Sequence, residues 1–169
     1  MDIQYKAGEY VKYGANGVCL IKDIQDISFT GGAVSKYYVL STNANSATVI
    51  YVPVENENLT SKMRRILTKE QIDATLTEVD SHEIEWIENR KDRIERFQTI
   101  INNGDTVDLL RLIACIYKHK QSVIKQGKKF SLTDEGFMQQ AESIIENEFS
   151  YVLDIEPHQV KNYIQDKIK

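Results

Sequence analysis

The texture of the chain changes near residue 60, and that change limits what it can fold into. Up to that point the sequence is a series of short, turn-punctuated runs. Tyr10 to Tyr13 alternates with period two, and Ala15-Asn16-Gly17 is a tight turn. Val18 to Ile27 reads as a second strand, with Val18, Leu20, Ile24 and Ile27 as core candidates. Its period slips between Leu20 and Ile24, which predicts a bulge. Thr30-Gly31-Gly32 is a hairpin turn, and Lys36 to Leu40 is a third strand rich in aromatic and β-branched residues. Asn43 to Ser46 is another turn, and Ala47 to Val54 is a fourth strand whose Pro53 predicts an edge position. Four or five such strands favour a small twisted barrel over an open sheet.

After residue 60 the pattern is helical. Thr68-Lys69-Glu70-Gln71 is a capping box opening a short helix through Ile72, Leu76 and Val79, broken at Asp80-Ser81-His82. A longer helix is predicted from about His82 to Asn102, carrying Trp86 and an apolar stripe through Ile94 and Phe97. Asn103-Gly104 stops it, and Asp105 starts the next helix, which runs to about Lys125. Ser131 caps another to about Leu153, and Glu156-Pro157 begins the last. The expected class is α+β: an N-terminal small Tudor/SH3-like β-barrel over residues 1–60, then an all-α domain over residues 61–169.

Charge sharpens the division. The chain has 169 residues and a net charge of −4, which argues against indiscriminate polyanion binding. Residues 61–130 hold fourteen Lys and Arg against eleven Asp and Glu, whereas residues 131–169 hold three against eight. The middle third is therefore the candidate basic surface. Cys19 and Cys115 lie in apolar patterns, as buried thiols rather than a disulfide pair, and no run approaches the roughly 20 apolar residues of a membrane span. The N-terminus lacks the pattern of a secretory signal, so a cytoplasmic protein is expected.

The strand residues are more specific than their pattern. Gly8-Glu9-Tyr10-Val11-Lys12-Tyr13-Gly14-Ala15-Asn16-Gly17-Val18-Cys19-Leu20-Ile21-Lys22-Asp23-Ile24 resembles the opening of the CarD/CdnL family of bacterial transcription regulators, whose β module is shared with transcription-repair coupling factors. Tyr37 to Leu40 and Val52 to Asn56 resemble its next strands. The joint at Leu59 to Arg64 departs from the family, lacking its usual glycine. The resemblance implies a Tudor-like barrel that binds the RNA polymerase β subunit, and a helical module that contacts promoter DNA without sequence specificity. It implies a tryptophan in the minor groove at the upstream edge of the bubble, a role that falls to Trp86. Association with the nucleoid would follow.

The candidate DNA contacts are Trp86, Arg90, Lys91, Arg93, Lys125 and Lys128. On one helix, at about 100° per residue, Arg90 and Arg93 would share the face of Trp86 and Lys91 would border it. Such cations can hold phosphates beside a wedge. The competing reading makes Trp86 a core residue and the cations partners in intrahelical pairs. Lys118, His119, Lys120 and Lys129 extend the second basic patch with Lys125 and Lys128, which is equally an ordinary helix end. Candidate polymerase contacts are Lys36, Tyr37, Tyr51, Glu55 and Arg64, since an edge strand can accept a partner strand. The alternative function is a protein-interaction module that binds polymerase or another partner without productive DNA contact. No phosphate-cradling glycine loop, nucleophile elbow or HExxH is present, so no enzymatic activity, cofactor, metal or small-molecule substrate is expected.

Overall fold

In the computed structural model the chain forms two compact units, residues Met1–Ile66 and Leu67–Lys169. The structure describes residues 4–29, 31–42, 48–79 and 83–168. The expected turn at Asn43 to Ser46, the strand start at Ala47, the helix break at Asp80 to His82, and Thr30 of the hairpin turn lie outside the described residues.

The first unit contains β1 (Tyr10–Tyr13), β2 (Val18–Ile27), β3 (Ser35–Ser41), β4 (Val49–Pro53), the single-turn α1 (Glu57–Thr60) and β5 (Met63–Arg65). All five strands form one antiparallel sheet in the order β4-β3-β2-β1-β5. The barrel expectation is thereby corrected. Among the described residues β4 and β5 each pair on one side only, so the sheet is open with two edges. Closure would need those edges to pair. Pro53 has no N–H to offer on β4, and β5 is three residues long. β5 itself was not expected, because Met-Arg-Arg carries no strand signal.

The predicted bulge is present, as a register shift between Ile21 and Asp23. It has a packing purpose. Ile21 pairs with Leu40 and Ile24 with Tyr38, so two β2 residues three apart reach the same face. That face carries the sheet's core: Val11, Tyr13, Cys19, Ile21, Tyr38, Leu40, Val52 and Met63 are all buried. The N-terminal segment covers part of it. Tyr5 packs edge-on against Tyr38 at 5.8 Å and its hydroxyl donates to Met63 O at 3.0 Å.

The second unit contains α2 (Lys69–Glu78), α3 (Arg90–Asn103), α4 (Thr106–Lys125), α5 (Leu132–Leu153) and α6 (Pro157–Ile168). The capping box at α2 has both bonds, Gln71 N to Thr68 Oγ1 at 3.2 Å and Thr68 N to Gln71 Oε1 at 2.9 Å. Gly104 ends α3 in the left-handed conformation, φ 66°, where a side chain would be strained. The core is built from Ile72, Leu76, Phe97, Leu109, Leu112, Ile116, Ile145 and Phe149. Buried Glu148 is satisfied inside it, accepting from Leu67 N at 3.2 Å and Thr106 Oγ1 at 3.4 Å. The Asp73 carboxylate docks α6 on α2, accepting from Tyr163 Oη at 2.5 Å and Lys167 Nζ at 2.9 Å.

The helix expected from about His82 starts later. Residues 83–88 are not helical, and Asn89 caps α3, its side chain accepting from Lys91 N and Asp92 N. Ile84 and Ile87 have helical spacing, but an asparagine N-cap outweighs it. Trp86 therefore does not share a helical face with Arg90 and Arg93.

Candidate interaction surfaces

In the sheet unit the surface chemistry gathers beside β4. Phe29, just past the end of β2, is 60% exposed. Its ring stands edge-on to Tyr37 and to Tyr51, at 5.3 Å in each case. Tyr37 pairs with Pro53 and Tyr51 with Val39, so both tyrosines project from the face opposite the core. The backbone of the same strand is also available. Val54 N bonds inward to Lys36 O, and alternation then aims the amides of Ile50 and Val52 at β3. The N–H and C=O groups of Val49 and Tyr51 point out from the sheet edge. Among the described residues, an apolar aromatic patch thus borders an unpaired strand edge.

The remaining sequence candidates are dispersed. Lys36 pairs across the sheet with Asp26 at 3.1 Å, on the face opposite the aromatic patch. Glu55 is exposed at the corner after β4. Arg64 lies on β5, at the other edge, four strand spacings or roughly 19 Å along the sheet. It donates to Arg65 O at 3.0 Å. Phe29 was not singled out from sequence. Its signal was a large aromatic directly before a glycine turn, where no core position is expected.

In the helical unit, Trp86 is half-buried in the non-helical segment before α3 and packed against the core. Its indole stacks on the His119 imidazole of α4, with centroids 3.6 Å apart and planes 7° from parallel. The Arg93 guanidinium lies over the ring at 4.5 Å, and Phe97 meets it edge-on at 6.0 Å. Arg93 is itself buried, 8% exposed. It holds Asp134 of α5 through two bonds, Nε to Oδ1 at 3.0 Å and Nη2 to Oδ2 at 3.2 Å. Its Nη1 donates to Ile87 O at 2.7 Å and Glu88 O at 3.1 Å. Arg93 is thus the peg that fastens the Trp86 segment to α5, and its donors face inward.

The other cations are on the surface. Lys91, Lys125 and Lys128 are exposed, and exposed Arg90 reaches Thr133 Oγ1 at 3.4 Å. Lys128 and Lys129 line a shallow depression with Trp86, Arg93 and His119. Lys118 is paired with Glu83 at 2.9 Å, with both side chains 74% exposed. Burial pushes the Cys19 thiol up to about 11 and raises Cys115, so both behave as apolar packing groups. Among the described residues no group of three or more His, Cys, Asp and Glu is placed to hold a metal ion, and no helix is long and apolar enough to cross a membrane.

The aromatic patch and open edge fall inside a recognisable segment. Residues 5–67 match the CarD-like/TRCF RID domain family. The match is to a polymerase-interacting domain, non-catalytic in kind, and it spans the sheet unit from Tyr5 through β5. It stops where the helical unit begins, and no curated protein matches the chain. The CarD-like resemblance of the strand residues is therefore confirmed for this unit.

Proposed function

We propose that the protein is a transcription regulator that docks on the β subunit of RNA polymerase through the outer edge of β4. In this account Val49 and Tyr51 pair with a partner strand, while Phe29, Tyr37 and Tyr51 supply apolar contact beside it. The single observation that carries the proposal is an exposed aromatic cluster on an unpaired edge, inside a segment matched to a polymerase-interacting family. The helical unit acts as a second interaction module, in which Trp86 is a structural residue. Titration calorimetry with purified β subunit tests this. The double variant Phe29→Ala/Tyr51→Ala should bind at least about tenfold more weakly while remaining folded. Unchanged affinity would remove β4 from the interface.

A second reading adds promoter DNA, and the exposure of Arg90, Lys91, Lys125 and Lys128 favours it. These cations would hold the phosphate backbone without reading sequence. A net charge of −4 implies weak affinity for free DNA, so polymerase would supply the local concentration on the nucleoid. Stabilising the melted promoter would then shift the closed–open equilibrium. A minor-groove wedge would require Trp86 to leave His119 and Arg93, so its packing favours phosphate contacts by the cations alone. Loss of the open-complex effect in a Lys125→Ala/Lys128→Ala variant, with β-subunit binding retained, supports this reading; full retention of the effect removes these two lysines from it.

A further inference from the structure

The helical unit contains a cavity of about 400 Å³ between the end of α2, the segment before α3, and α4. That size lies within the roughly 300–1,000 Å³ of small-ligand sites. Its floor is apolar, formed by Val79, Ile84, Ala114 and Cys115, and the stacked rings of Trp86 and His119 line it as well. Among the described residues, one under-satisfied cation lines this surface. Arg111 Nε is buried and has no hydrogen-bond partner. Its Nη1 lies at 4.0 Å from Asp108, too long for a hydrogen bond. Nε itself is closed off, but the Arg111 side chain lines the cavity, stays charged and meets Asp108 only at 4.0 Å, so its terminal nitrogens favour an anionic acceptor there.

The other charges set how much negative charge fits. Lys118 is already neutralised by Glu83, and Glu85 adds a second carboxylate to the lining. A phosphate or dicarboxylate would bring a further charge with no free cation among the described lining residues to meet it. The geometry points to a binding site for a small monocarboxylate with an apolar body, its carboxylate on Arg111 and its body against Ile84, Cys115 and Trp86.

Trp86 is the chain's one tryptophan, so its emission reports directly on this cavity. The full chain is titrated with octanoate and with uncharged octanamide, followed by Trp86 fluorescence and by calorimetry. Octanoate should bind saturably, and octanamide about tenfold or more weakly, because the charge-assisted bond is lost. Arg111→Gln should abolish that discrimination, and Ala114→Leu, which fills the cavity from α4, should weaken both ligands. The Ala114→Leu variant and the two-ligand comparison stand even where Arg111→Gln does not fold. Absence of saturable binding, equal affinity for the two ligands, or discrimination surviving in a folded Arg111→Gln protein would each overturn the proposal.

Discussion

The two units place their aromatic and charged side chains in opposite ways. In the sheet unit Phe29 and Tyr51 stand in solvent beside an unpaired strand edge, and the core face is closed without them. In the helical unit Trp86 and Arg93 are drawn in, against His119, Phe97 and Asp134. The difference teaches that residue type alone does not mark an interaction surface. An aromatic or arginine facing water is available to a partner. One that already holds two elements together is part of the fold, and its replacement should be felt first as lost stability.

Arg93→Ala gives the largest expected effect on this contrast. It leaves the Asp134 carboxylate buried without its bidentate partner and frees the Ile87 and Glu88 carbonyls. Removing one member of a buried pair costs about 3–5 kcal/mol. Denaturant unfolding should show that loss in the helical transition, with the sheet unit's transition unmoved. A change below about 0.5 kcal/mol would mean that Arg93 is a surface residue after all. Trp86→Ala should follow, at about 2–4 kcal/mol for a large aromatic packed on a core. A fully stable Trp86→Ala protein that has lost its effect on open promoters would reverse the contrast and restore the wedge.

Much of this was legible in the sequence. Alternation located β1 to β4 and the bulge in β2, but not its core face: Leu20 is expected inside, whereas Cys19 and Ile21 take the core and Leu20 is half-buried on the other face. The capping box at Thr68, the stop at Gly104 and the start at Pro157 are local signals that depend on few neighbours. What escaped depends on distant partners. β5 is a strand only because Met63 to Arg65 lie beside β1. An open rather than closed sheet is decided by which strands meet, which strand letters do not state. The start of α3 had a readable signal in Asn89, masked by the apolar spacing of Ile84 and Ile87. Arg93 looked like a phosphate ligand because its partner Asp134 is 41 residues away. Of the surface patch, Tyr37 and Tyr51 were named from sequence and Phe29 was not.

A smaller effect should come from the sheet patch. Phe29→Ala and Tyr51→Ala each remove an exposed ring, so each should change stability by less than about 1 kcal/mol. That is the reverse of Trp86→Ala, and urea midpoints of the three variants compare the units directly. The smallest effect concerns the docking of α6. Burial, with the Asp73 carboxylate, pushes the Tyr163 phenol up to about 12 from its ordinary 10.0. The raised value means that the folded state retains the proton. The stabilisation is therefore complete below pH 10.0 and is lost as pH rises through about 12. Tyr163→Phe should be less stable than the parent by about 1 kcal/mol near neutral pH. The gap should close across that alkaline window, and a gap independent of pH would show that the hydroxyl is not the cause.

The contrast between an outward sheet and an inward helical unit is tested most directly by amide hydrogen exchange with the polymerase β subunit bound. The Val49 and Tyr51 amides face out from the β4 edge in the free protein. Strand pairing predicts that they become strongly protected in the complex, while exchange around Trp86 is unchanged. Protection confined to the Trp86 segment and α4, with β4 exchanging as freely as before, would contradict the account.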